Sequence, residues 1–322
     1  MRVILAGATG AIGRPLLAAL STAGHQVHAL IRNPAHWQLV EDLGATPVIA
    51  DVMDQDSLLS AAEGLTADAV LHQATALRTA KRTLGPDDPT NALREAGTRH
   101  LLAMARAVGA RRFVTQSLIT GYGYRDHGER PLTENDPFGE PVGSVGDLVA
   151  AGCVATERQV FAADGIDGIA LRYGMFYGPN AFSDMFAGLL RKHFPIRPLG
   201  GAGSNCFIHV DDAAAATVAA LARGRAGQAY NIVDDTPATW QEFIDAVAEA
   251  HRTPRPLSVP GWVIRLMVPY LGCLLVDTRL RASHAKATEQ LGWTPTIPDL
   301  RTGLGLEGPA PDGGTAIAMG SS

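Results

Sequence analysis

Gly7, Gly10 and Gly13 stand at three-residue spacing, between the apolar run Val3–Ala6 and a helical pattern whose Leu16, Leu17 and Leu20 share one face. Each glycine has a separate use in a strand–turn–helix. Gly7 makes the tight turn, Gly10 lets a pyrophosphate approach the backbone, and Gly13 lets the helix pack on the strand. Thr9, Ala11, Ile12 and the start of the helix then offer backbone N–H groups to phosphates. The chemistry expected is dinucleotide binding. The second strand candidate, Val27–Ile31, runs into Arg32-Asn33-Pro34. A carboxylate there would bind the ribose hydroxyls of NAD, whereas an arginine favours the 2′-phosphate of NADP. Arg14 supplies a second cation. Asp51 and Val52, after the candidate strand Pro47–Ala50, are placed to hold the adenine edge.

Other reactive side chains are sparse. Cys153, Cys206 and Cys273 are far apart and odd in number, which argues against a disulfide framework or a structural zinc site. His209, Asp211 and Asp212 form a polar cluster that reads better as structural than as catalytic. The 322 residues carry a net charge of −5, so a general nucleic-acid binder is disfavoured. With 46% hydrophobic residues the chain can build a sizeable core. The cations are lopsided: Lys81, Lys192 and Lys286 are the only lysines, against 24 arginines. The N-terminal apolar run is too short for a signal peptide and turns directly into the glycine motif. The stretch Trp262–Val276 is interrupted by Arg265, Pro269 and Gly272 and is shorter than a bilayer span. A soluble cytoplasmic protein with a small-molecule substrate is expected, with no membrane or nucleic-acid partner and an open oligomeric state.

These residues need a scaffold. Strand candidates Val3–Ala6, Val27–Ile31, Pro47–Ala50, Ala69–His72, Phe113–Gln116 and Ile169–Leu171 alternate with helical stretches Ser57–Glu63, Asn91–Val108 and Leu148–Ala163. Such alternation implies right-handed βαβ units: an α/β fold, Rossmann-like, with a doubly wound parallel sheet. Phe207–Val210 and Tyr230–Val233 read as a return to that sheet. Residues 1–178 plus 207–235 are expected to form the dinucleotide-binding domain. Residues 179–206 plus 236–305 would form a smaller, mostly helical substrate lobe, and 308–322 a disordered tail. The 24 residues Gly123–Gly146 are rich in Gly, Pro and charge and show little periodicity. Lying after the fifth strand, they are expected to act as a substrate lid, the alternative being a disordered surface insertion.

With GATGAIG at Gly7–Gly13, DVMD at Asp51–Asp54, LHQAT at Leu71–Thr75, Gly97-Thr98, RRFVTQS at Arg111–Ser117, LRYGMFYGP at Leu171–Pro179, FIHVDD at Phe207–Asp212 and LGWTP at Leu291–Pro295, the chain resembles the extended short-chain dehydrogenase/reductase family, the NAD-dependent epimerase/dehydratase group. The resemblance runs from Met1 to about Leu304 and implies further cofactor contacts from Gln73, Ala74, Thr75, Ser117 and Tyr173. The family moves a proton with Tyr-x-x-x-Lys on the helix after strand five. None of the six tyrosines here has a lysine four residues on. Anchored on Glu157, the alignment puts Val149 at the tyrosine, Cys153 at the lysine, Leu118 at the serine, Arg94 at an asparagine, and Met175 where sugar-nucleotide epimerases carry a substrate-binding asparagine.

The cofactor half of the motif set is intact and the proton-transfer half is replaced. Ser117 and Tyr124 are the candidate catalytic residues, with His127 a second lid donor. Cys153 reads as an apolar filler. The expected activity is that of an NADPH-dependent ketoreductase (NADH being possible) acting on a bulky aromatic or polyketide-like carbonyl, as in atypical reductases of antibiotic pathways. A substrate phenol would supply the missing polarisation. The alternative is a non-enzymatic NADP(H) sensor.

Overall fold

The computed structural model describes residues 1–76, 84–85, 87–200 and 203–306; the expected tail lies outside them. Seven parallel strands make the central sheet: β1 (Arg2–Ala6), β2 (Gln26–Ile31), β3 (Thr46–Ile49), β4 (Ala69–His72), β5 (Arg112–Leu118), β6 (Asp167–Tyr173) and β7 (Gln228–Ile232). Their spatial order is β7-β6-β5-β4-β1-β2-β3. Val3, Ile4, Leu5 and Ala6 of central β1 are all buried, as a strand covered on both faces requires. Alternation then sorts them. Val3 and Leu5 join the core that includes Leu16 and Leu20, while Ile4 and Ala6 join the one that includes Leu58, Leu101 and Met104. Pro47 cannot donate to a ladder and sits on the edge strand β3.

The helices that matter here are α1 (Gly13–Thr22), α2 (Gln55–Ala61), α3 (Thr98–Ala107), α4 (Asp147–Phe161), α5 (Phe182–Arg191), α6 (Val210–Arg223) and α7 (Trp240–Ala250). The helix expected over Asn91–Val108 is interrupted. A short turn at Pro89–Ala92 widens into a π-helical turn at Leu93–Gly97 before α3 begins. A second difference concerns Phe207–His209. It does not rejoin the central sheet but pairs in parallel with Met175–Tyr177. Only Gln228–Ile232 returns to the main sheet, beside β6. Helices α5 and α7 pack through an aromatic cluster in which Phe186 stacks on Trp240 and Phe207 on Phe243, with centroids 5.9 and 4.9 Å apart. No helix among the described residues is long and apolar enough to cross a membrane.

Candidate functional site

Strand order reverses between β1 and β4, which opens a crevice at their carboxyl ends. The glycine turn lines it. Gly7 has φ of +93°, and a Cβ there would lie 2.5 Å from the carbonyl carbon of Gln73. A Cβ on Gly13 would lie 2.1 Å from the carbonyl oxygen of Gly7. A Cβ on Gly10 would meet only that same oxygen, at 3.2 Å, so Gly10 borders open space. Helix α1 starts with no side-chain cap and no acid in its first turn. The start of α1 therefore offers its amides with no capping side chain and no carboxylate of its own, and these features fit a bound pyrophosphate.

The adenosine end is equally open. Arg32 is exposed and makes no hydrogen bond or ion pair among the described residues, and the Nε of half-buried Arg14 has no partner. Asn33 is committed locally, its Oδ1 accepting from Ala35 N at 3.0 Å. Asp51 accepts from Met53 N, and the carbonyl of Val52 lies 2.9 Å from His100 Nδ1. At the other end Thr75 is exposed and Ala74 half-buried. Gln73 is buried and donates from Nε2 to the Tyr173 hydroxyl at 3.1 Å, leaving its Oε1 unpartnered.

Three expectations need correction. Tyr173, expected to touch the cofactor, is fully buried between Gln73 and the Thr217 hydroxyl, 2.7 Å away. Ser117, expected to be catalytic and to touch the cofactor, is 0% exposed and donates to Glu157 Oε1 at 2.7 Å. Glu157 in turn receives Arg172 in a two-pronged ion pair, Nε to Oε1 at 2.9 Å and Nη2 to Oε2 at 2.7 Å. Arg172 also donates to the Tyr122 hydroxyl and lies over the Phe138 ring, 3.6 Å from its centroid. Strand alternation explains the miss: Leu118, not Ser117, is on the face of the family's serine, so Ser117 points into a structural network.

The third correction concerns Gly123–Gly146. This segment is tied down rather than free. Leu132 and Ser283 exchange backbone hydrogen bonds with each other's strand, Leu132 N reaching Arg281 O at 2.7 Å and Ser283 N reaching Leu132 O at 2.8 Å. Arg279 pairs with Asp126 and Glu129, and Asp147 accepts from the amides of Val142, Gly143 and Ser144. The segment is a wall braced against residues 279–283, not an independent flap. His127 is pinned by the Gly123 carbonyl, and burial lowers its pKa.

Tyr124 is accordingly no exposed lid residue. It is 3% exposed, and its ring lies where any side chain on Gly146 would go. Its hydroxyl meets that of Tyr270 at 3.0 Å. Burial, then the neighbouring Tyr270, pushes the Tyr124 phenol well above its usual range. Tyr270 escaped the sequence reading because it comes from 146 residues away. Leu118, Val149 and Cys153 are buried in the same apolar core as Tyr124, so the aligned positions of the missing motif carry buried apolar side chains. His209 and Asp212 prove structural. His209 Nδ1 accepts from Asp211 N, and Asp212 accepts from Thr296 and Ile297.

Known proteins place this geometry. Over 95% of this chain and all of its own length, a Streptomyces protein described as a 3-diazoavenalumate denitrifying reductase is 35% identical. A Stigmatella aurantiaca ketoreductase of a farnesyl-dihydroquinoline-oxide is 28% identical over 77% of this chain and 73% of its own. Among solved structures, the Thermus thermophilus UDP-glucose 4-epimerase in complex with NAD superposes with a TM-score of 0.75 over 95% of this chain and 98% of its own, at 23% identity. With the family model matching residues 3–233, the chain belongs to the NAD dependent epimerase/dehydratase family, and within it is an NAD(P)-dependent oxidoreductase.

Proposed function

We propose that the chain is an NADPH-dependent reductase of an acidic aromatic substrate, and that the group reduced is an aryl diazonium. The observation that carries this reading is the lost motif: Val149, Cys153 and Leu118, all buried and apolar, stand where the family's proton-transfer groups stand. Bound reduced nicotinamide supplies a hydride. Ketone reduction consumes that hydride and a proton, and the alkoxide must be stabilised as it develops. Exchange of an aryl C–N2⁺ bond for C–H consumes the hydride alone and releases N2. No proton enters or leaves, so a tyrosine and lysine have nothing to do. The Streptomyces relative, named for a denitrifying reduction of a diazo compound, supports this chemistry.

The residues here then bind, orient and keep water out. The glycine turn holds the pyrophosphate, Arg32 and Arg14 the 2′-phosphate, and Gln73 the nicotinamide end. The apolar walls keep water from a reactive diazonium. Turnover of diazotised aminobenzoates and aminocinnamates with C4-deuterated NADPH tests the reading. Deuterium should appear on the ring carbon that carried nitrogen. Cofactor oxidation at the uncatalysed rate for every diazonium offered would overturn it.

The ketoreductase reading keeps support from relatives named as reductases of ketones. It requires a proton source, and Tyr124 is the buried phenol at hand. A dedicated acid supplies about 10²–10⁴-fold in rate. At saturating substrate, Tyr124→Phe should lower kcat by less than about tenfold with a diazonium; a loss of kcat in the larger range with an aromatic ketone would favour the ketoreductase.

Cofactor choice follows from Arg32. A guanidinium pairs with a phosphate through two parallel hydrogen bonds, which a ribose hydroxyl cannot match. Arg32→Ala is expected to weaken NADPH binding by about tenfold or more and NADH binding by less than about twofold. Titration of both cofactors into both proteins decides it, and equal losses would refute the assignment.

A further inference from the structure

The π-helical turn at Leu93–Gly97 carries Arg94, the largest of the fully buried side chains at 1% exposure. Its Nε and Nη2 have no hydrogen-bond partner, and no carboxylate among the described residues pairs with it. A buried guanidinium without a counter-charge is costly, and buried charges are as a rule paired, so this one calls for an anion. The turn is itself a rare geometry that recurs at functional sites. It packs on α4 around the lost lysine position. Thr156 donates to the Arg94 carbonyl at 2.8 Å, and a Cβ on Gly152 would lie 3.1 Å from Arg94 Cδ. Gly152 and Thr156 flank Cys153, so the chain has lost one cation on α4 and gained another on the adjoining turn.

The guanidinium lies within electrostatic reach of Tyr270, whose phenol is raised by burial and partly relieved by the Tyr124 hydroxyl and by Arg94. The same positive charge adds to the burial that holds the His72 ring down to about 4. Arg94 packs on Gly152 beside Cys153, and Tyr124 and Tyr270, their hydroxyls 3.0 Å apart, pack in and against the core that holds Cys153. The cofactor's phosphates have their own seat at the glycine turn and Arg32, which leaves the substrate as the source of the missing anion.

We propose that Arg94, with the Tyr124–Tyr270 hydroxyl pair, binds an anionic oxygen of the substrate, a carboxylate or a phenolate. It rests on the reading of an acidic aromatic substrate but not on the diazonium step. A substrate cation would be tolerated beside Arg94 because this oxyanion screens it. The same contact selects against neutral aromatics.

The test is equilibrium titration of NADP⁺-saturated protein, which needs no turnover. The probes are cinnamate for the carboxylate and methyl para-hydroxycinnamate, above its phenol pKa, for the phenolate; methyl cinnamate is the neutral control. Whichever anionic probe is the better ligand should lose about tenfold or more in affinity in Arg94→Met, as expected for a charged hydrogen bond. Arg94→Lys should retain part of the binding. Methyl cinnamate should not distinguish the proteins. Ligand-free Arg94→Met should melt no lower than wild type, since an unpaired charge has been removed. Equal affinities of wild type and Arg94→Met for both anions would overturn the proposal, as would failure of the wild type to bind either. A parallel fall in NADP⁺ affinity would also overturn it by assigning Arg94 to the cofactor. Anion binding intact with no diazonium turnover would sink only the diazonium chemistry.

Discussion

Glu157→Ala is expected to destabilise the fold by about 3–5 kcal/mol, the range for stripping one partner from a buried ion pair. Both side chains of the pair are nearly inaccessible, at 6% for Glu157 and 7% for Arg172. Among the described residues the substitution leaves the Arg172 guanidinium with the Tyr122 hydroxyl and the Tyr122 and Phe138 rings, and it orphans the Ser117 hydroxyl. Urea unfolding should show the midpoint moving with little change in slope. Two controls separate the pair from its surroundings. Ser117→Ala removes one neutral donor and should cost only about 1–2 kcal/mol, with turnover per folded molecule unchanged. Removing both charges together, as Glu157→Leu with Arg172→Met, should recover a large part of the loss, because no uncompensated charge remains. A Glu157→Ala cost below about 1 kcal/mol, or a Ser117→Ala enzyme that folds but does not turn over, would return Ser117 to the catalytic site.

The second large effect is on cofactor affinity and separates two glycines that look alike in sequence. Gly13→Ala puts a methyl group 2.1 Å from the Gly7 carbonyl oxygen and 2.6 Å from Ala8 backbone atoms. Nothing flexible lies there to give way, so the start of α1 must move off the turn. Phosphate binding depends on that helix start facing the turn, and NADPH affinity should fall by about a hundredfold or more. Gly10→Ala meets only one oxygen, at 3.2 Å. The fold should tolerate it within about 1 kcal/mol, in the range of an ordinary surface change. Its methyl group would nonetheless occupy the space through which a pyrophosphate approaches, so affinity should still drop. Fluorescence titration of NADPH, with a melting curve for each variant, reads both quantities. Wild-type affinity in Gly13→Ala would refute the crevice as the cofactor site.

Local pattern determined a great deal of this protein. The apolar run and glycine spacing of residues 3–13 dictate strand, turn and helix, because each position has a steric reason that acts over a few residues. The alternation of strands and helices dictated the parallel sheet for the same reason. The absence of any Tyr-x-x-x-Lys is a fact of the chain itself.

What pattern could not decide is direction and distance in three dimensions. Ser117 and Leu118 are neighbours in sequence, yet strand alternation sends one to Glu157 and Arg172 and the other to the site face. Gly123–Gly146 lacks periodicity, so it reads as a flap. Its partners at Arg279, Arg281 and Ser283 lie some 150 residues on, and only the folded chain shows the bracing. Arg94 was visible as a departure from the family's asparagine, and Cys153 as a lost lysine. That the two departures adjoin, with Tyr270 brought in from the far end of the chain, depends on how the π-helical turn packs against α4. Contacts between distant segments are set by the burial of whole helix faces, and no short stretch of sequence encodes them.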